Sequence, residues 1–282
     1  MKKRIFAVLL SFFVAGGFCL CPAAVRAEGV DPDTSASVDA GAADENYTGM
    51  DDEEDRENDN EEKQETSVAK AVFCSGTKGR LLVENAKGAV TWSVGDKDIL
   101  QIVKKTNKTC KIKALKDGKT IVRASAKNKT TTFKVTVKSG KEFVKAWCRL
   151  WVDTNITDDM SDKRKLVTAS SYITSSGMFY AGDTYEPEDL LVKGYGNCVS
   201  GGKLLVSMCE AMGYAAKLRF AAKDDMSRYP LGVIFASQHY NVEVIVNGKK
   251  YYADGMPGCW FTYLSTSKKP IYYSIFGMPV QD

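Results

Sequence analysis

Three side chains, far apart in the sequence, carry the residue types needed for nucleophilic acyl chemistry: Cys198, His239 and Asp254. Cys198 lies in Lys193-Gly-Tyr-Gly-Asn-Cys198-Val-Ser-Gly-Gly, ahead of a segment in which Leu204, Leu205, Met208, Cys209 and Met212 recur on one helical face. Gly213 is a natural helix stop, so Cys198 falls at or near the helix N-terminus. There, unpaired amides and the helix dipole favour a thiolate. Cys209, in mid-helix on the apolar face, reads instead as a small buried residue.

His239 is the single histidine of the chain. It opens Gln238-His-Tyr-Asn-Val-Glu-Val-Ile-Val246, which is followed by Asn247-Gly248 and Lys249-Lys-Tyr-Tyr-Ala-Asp254. Asn-Gly suits the two positive-φ positions of a type I′ turn, so the segment predicts a β-hairpin. Counting outward pairs Val246 with Lys249, Val244 with Tyr251, Val242 with Ala253 and Asn241 with Asp254. His239 then lies diagonally beside Asp254 on the same face. A slip of one residue would put the two on opposite faces, so the pairing depends on the turn.

Taken singly, a half-buried strand histidine and a carboxylate at a strand end are ordinary features. Together with Cys198 they form a complete set. The thiol supplies the nucleophile, the imidazole takes its proton, and the carboxylate fixes the ring's tautomer and stabilises its cation.

That order resembles the transglutaminase-like superfamily of papain-related cysteine domains. Gly196-Asn-Cys198 with Leu204-Leu-Val-Ser-Met-Cys-Glu-Ala-Met-Gly213-Tyr-Ala-Ala-Lys-Leu-Arg is similar to its nucleophile helix and following strand. His239-Tyr-Asn-Val-Glu-Val and Lys250-Tyr-Tyr-Ala-Asp254 are similar to its histidine and aspartate strands, and the likeness covers about residues 142 to 265. Tyr240 and Gly255 stand where the family often has Trp and Pro. The resemblance implies an α+β papain-like domain and a thioester formed from a carboxamide or peptide carbonyl, passed on to water or an amine. No acidic cluster resembles the calcium sites of animal transglutaminases, so no metal and no cofactor are expected. The Cys198 N–H is the expected oxyanion donor, with Tyr195 the candidate for a second. Residues 222 to 237, with Asp224, Asp225, Tyr229 and Pro230, read as a loop bordering the cleft or as a plain connection.

The rest of the chain positions this unit. Lys2-Lys3-Arg4, an apolar run from Ile5 to about Leu20, and Val25 and Ala27 before a cut give the layout of a secretory signal over 1–27. The run is short for a membrane span and ends at Pro22, and Phe18 before Cys19 disfavours lipid attachment. From Glu28 to Thr66 the sequence has 16 Asp and Glu against Arg56 and Lys63, so 28–67 reads as a disordered acidic linker. From Ser67 onward 33 basic residues face 19 acidic ones. A basic body of this kind fits a cell-surface polyanion. Nucleic acid is not expected, because export removes the chain from it and no aromatic-interleaved basic motif is present. No membrane span is expected after the leader.

Residues 68–138 carry strand-like runs at about ten-residue intervals: 89–94, 99–103, 110–114, 120–124 and 132–137. The pattern predicts an antiparallel sandwich. Val90-Thr-Trp-Ser, Asp96-Lys-Asp-Ile-Leu and Lys113-Ala-Leu-Lys-Asp-Gly-Lys-Thr-Ile-Val resemble a bacterial Ig-like domain of group 2, with Trp92 as its core tryptophan. The resemblance implies a surface-binding or spacing module. After Ser139-Gly140 the period turns helical, through Phe143, Trp147, Leu150 and Trp151, then near 163–174, then from Pro187 to Gly194. Residues 139–282 form the second domain.

The fold class expected is thus multidomain, an all-β Ig-like sandwich followed by an α+β papain-like, transglutaminase-like domain. Six cysteines follow the leader: Cys74, Cys110, Cys148, Cys198, Cys209 and Cys259. Cys74 with Cys110 is the disulfide expected first, and no spacing suggests zinc. The function expected is a secreted or cell-surface enzyme with a Cys-His-Asp triad acting on protein, peptide or cell-wall peptide. The alternative is a surface-binding protein built on a catalytically inactive scaffold.

Overall fold

The computed structural model describes residues 65–221, 239–258, 261–266, 272–275 and 278–279. The leader, the linker up to residue 64, the segment 222–237 and Cys259 lie outside the described residues. Among the described residues, no helix is long and apolar enough to cross a membrane.

Seven strands come first: β1 (Glu65–Cys74), β2 (Lys78–Leu82), β3 (Thr91–Val94), β4 (Leu100–Lys105), β5 (Thr109–Ala114), β6 (Gly118–Ser125) and β7 (Lys129–Lys138). They form two sheets, β1-β7-β6-β3 and β2-β5-β4, which share one apolar core. Alternation decides which side chains enter it. Leu81, Cys110, Ile112 and Val122 point inward, and Trp92 stacks on Phe133 at 6.1 Å while its Nε1 donates to the Thr106 carbonyl at 2.8 Å.

Two features differ from the sequence expectation. Strand β1 begins at Glu65, inside the segment expected to be disordered, and it runs parallel to β7 over ten residues rather than antiparallel. The ladder gives its backbone partners that local sequence does not announce, and Glu65 meets Lys129 at 3.4 Å. The Cys74–Cys110 disulfide is also absent. Cys110 points into the sandwich core, whereas Cys74 packs against the helices that follow and donates its Sγ to Glu188 Oε1 at 3.1 Å.

The second half opens with α1 (Gly140–Asn155) and α2 (Asp162–Ser175), followed by β8 (Phe179–Tyr180), α3 (Pro187–Lys193), β9 (Tyr195–Gly196) and α4 (Cys198–Ala211). Strands β10 (Ala215–Ala221), β11 (His239–Val246), β12 (Lys249–Ala253), β13 (Phe261–Ser265), β14 (Tyr272–Ile275) and β15 (Met278–Pro279) then form a sheet in sequential order. The helices bury Phe143, Trp147, Trp151, Leu166, Ile173, Leu190 and Leu204 against Val242 and Val244 of β11. Each such side chain stabilises by about 2 kcal/mol on removal from water. Val72 and Cys74 of β1 belong to this second core, so the sandwich and the helices share a packed boundary.

Candidate active site

Asn197 begins α4 by capping it. Its Oδ1 accepts from the Val199 and Ser200 amides at 3.0 and 3.1 Å, and Ser200 Oγ accepts from the Asn197 N–H at 2.9 Å. Asn197 Nδ2 in turn donates to the Gly182 carbonyl at 3.2 Å, fixing the cap to the preceding loop. Cys198 is therefore the first residue of the helix, and its own N–H meets no acceptor among the described residues. Gly196 is required here for space, because a Cβ would lie 2.2 Å from Ser200 Oγ.

The hairpin has the expected register: Val246 opposite Lys249, Val244 opposite Tyr251 and Val242 opposite Ala253. Asn247 and Gly248 take φ of 49° and 76°, as a type I′ turn requires. Asp254 is the first residue past the ladder. His239 Nε2 meets Asp254 Oδ2 at 2.7 Å, with both side chains buried. The second carboxylate oxygen accepts from the Met256 N–H at 2.7 Å, and Ser170 Oγ of α2 donates to the Asp254 carbonyl.

What brings Cys198 to this pair is a backbone contact. A Cβ at Gly201 would sit 1.8 Å from the Gly255 carbonyl oxygen, and one at Gly255 would sit 2.6 Å from the Gly201 oxygen. Helix α4 thus lies directly on the chain just after Asp254, one turn beyond Cys198. The glycine at position 255 is the one this approach needs.

The electrostatics agree with the geometry. Burial alone would lower the His239 pKa, but the Asp254 charge and hydrogen bond, with a smaller contribution from the Cys198 side chain, raise it to about 10. With Nε2 held by Asp254, Nδ1 is the nitrogen available to exchange a proton with sulfur. Burial drives the thiols of Cys110, Cys148 and Cys209 upward instead, Cys110 to about 11 and Cys209 to about 12, which makes them poor nucleophiles at neutral pH. Cys198 is 9% exposed, the most of the five described cysteines.

The sequence reading missed Ser170 and Tyr180. The Tyr180 phenol is pushed up by partial burial and by the charge of the Cys198 side chain, so its O–H stays protonated. Tyr195, the candidate for a second oxyanion donor, lies on β9 two residues before Asn197 and is 38% exposed. In the paired strands Tyr180 lies opposite Gly196 and Phe179 opposite Tyr195. Among the described residues, no group of three His, Cys, Asp or Glu is placed to hold a metal ion.

No family model and no curated protein matches the chain. Among solved structures it is similar to a cysteine protease inhibitor from Entamoeba histolytica, at 16% identity over 28% of this chain and 90% of that one, with a TM-score of 0.18. It is likewise similar to the M1 domain of titin, at 12% identity over 26% of this chain and 91% of that one, with a TM-score of 0.18. At these scores neither likeness says what the chain does.

Proposed function

We propose that the chain is a secreted or cell-surface cysteine-dependent acyl-transfer enzyme of the transglutaminase-like, papain-related kind, with an Ig-like module ahead of it. The observation that carries this reading is the buried His239–Asp254 contact of 2.7 Å, with Cys198 beside the same imidazole at a helix start.

In the proposed reaction the Cys198 sulfur attacks the carbonyl carbon of a carboxamide or peptide, its proton having passed to His239 Nδ1. The carbonyl oxygen gathers negative charge, which the Cys198 N–H meets, with the Tyr180 hydroxyl as a second donor. Collapse of the intermediate breaks the C–N bond, and the leaving nitrogen takes the proton from His239. The thioester that remains is opened by water or an amine, whose proton His239 accepts. Asp254 keeps the ring in one tautomer and balances its charge throughout.

Replacing Cys198 by Ala tests the reading. The wild-type protein should label with a thiol-directed acylating probe and the variant should not. Equal labelling of the two removes the basis for an enzyme. Incubation with a glutamine-containing peptide and a labelled amine, read by mass, separates transfer from hydrolysis.

A surface-binding protein on an idle scaffold is the second reading, and the low exposure of Cys198 favours it. Under that reading Cys198 would resist small thiol reagents until the protein unfolds.

A further inference from the structure

The sheet β2-β5-β4 contains Lys78, Arg80, Lys104, Lys105, Lys111 and Lys113 and not one Asp or Glu. Its inward positions fill the sandwich core, so Lys78, Arg80, Lys104, Lys111 and Lys113 crowd the other face, while Lys105 lies opposite core-facing Cys110. Register places them directly opposite one another, Lys78 against Lys113, Arg80 against Lys111 and Lys104 against Lys111. Like charges so paired destabilise a sheet. Lys78, Lys104, Lys105 and Lys113 meet no carboxylate among the described residues. Lysines on the edge strands β2 and β4 have an ordinary use in discouraging edge-to-edge pairing. Lys111 and Lys113 sit on the central strand, where that use does not apply.

A polyanion held within reach already exists in the same chain. Residues 28–64 carry 15 Asp and Glu against two basic residues, and they lead straight into β1. The Glu65 N–H donates to the Asn128 carbonyl, and Asn128 receives the Lys87 N–H and donates to Asn85 beyond the end of β2. The Val83 N–H, just after β2, donates to the Lys108 carbonyl just before β5. The acidic segment therefore enters the sandwich through the opposite sheet, at the end where β2 stops, and the carboxylate that follows it, Glu65, is already paired with Lys129. From Glu65 back to the run Asp51–Asp55 is about ten residues, roughly 33 Å when extended, against roughly 20 Å for a strand of the sheet. A tether this short keeps its ends at an effective concentration of about millimolar.

We propose that the outward face of the β2-β5-β4 sheet is a docking surface for the chain's own acidic segment, residues 28–64, which screens the face from other polyanions. The inference is independent of the catalytic reading.

Carbodiimide activation at low micromolar protein, followed by peptide mapping, tests it. Expected are monomeric cross-links joining 51–62 to Lys78, Lys104, Lys111 or Lys113, lost at high salt and lost in a Lys78→Glu, Lys113→Glu double variant of the full chain. A form starting at Glu65 should elute from a heparin column at higher salt than one starting at Glu28. Cross-links scattered evenly over the lysines of both domains overturn the proposal. Equal elution of the two forms, with the double variant eluting earlier than both, also overturns it and assigns the face to an external polyanion.

Discussion

Gly201→Ala tests whether the site is assembled by the contact between α4 and residue 255. In an exposed helix this substitution would stabilise by about 1 kcal/mol, because alanine loses less backbone entropy than glycine. Here the new Cβ would lie 1.8 Å from the Gly255 oxygen and 2.9 Å from Pro257 Cδ, whereas ordinary contact begins near 3.4 Å. The opposing group is backbone anchored by Asp254 and Ser170, so it cannot turn aside as a flexible side chain would. The two segments must part by more than an ångström. Overpacking of this kind costs about 1–3 kcal/mol, which reverses the sign expected from propensity. Cys198 is one turn away on the same helix, so sulfur moves relative to His239, and a misplacement of about 1 Å lowers a positioned reaction by about 100-fold. Urea melts should show a lower midpoint at unchanged slope, and labelling of Cys198 should slow by that factor. Gly202→Ala is the control, since its Cβ would meet the terminal Cδ1 of Leu218 at 2.4 Å, which can rotate away at small cost. A Gly201→Ala protein that is as stable as wild type and labels at the wild-type rate would refute the reasoning.

Other outcomes follow from the same geometry. The His239 pKa rises from an ordinary 6.5 to about 10, so the folded state holds a proton that the unfolded chain has released between those values. Its stabilisation is complete below pH 6.5 and is lost as pH rises through 10, with a ceiling of about 5 kcal/mol at about 1.4 per pH unit, and urea melts of the wild type and His239→Gln across this range should show it. Asp254→Asn removes the charge that retains the proton, so the alkaline loss of stability should shrink and labelling of Cys198 should fall by up to about 10,000-fold. Asn197→Ala strips the cap from the Val199 and Ser200 amides and should cost about 1–2 kcal/mol in thermal melts, with Asn197→Asp retaining most of it.

Much of the site was legible because its parts are local. Asn247-Gly248 sets the turn, the turn sets the register, and the register fixes which residues flank Asp254. The apolar period from Leu204 to Met212, ended by Gly213, puts Cys198 at or near the helix start. Strands β3 to β7 were visible for the same reason, since alternation and turn residues repeat every ten positions.

Other features had no local signature. Strand β1 is held by a parallel partner 64 positions away, and nothing in Glu65–Cys74 distinguishes its first residues from the acidic stretch before them. Tyr180 lies opposite Gly196 because β8 and β9 pair in a particular register, and Ser170 meets Asp254 across 84 positions because α2 packs behind the hairpin. Sequence alone determined which candidate groups stand in which short-range frames, since hydrogen-bond geometry and side-chain period act over a few residues. Tertiary structure alone decided that those frames meet, because the approach of Gly201 to Gly255 depends on how two whole layers pack, and no window of the chain contains both.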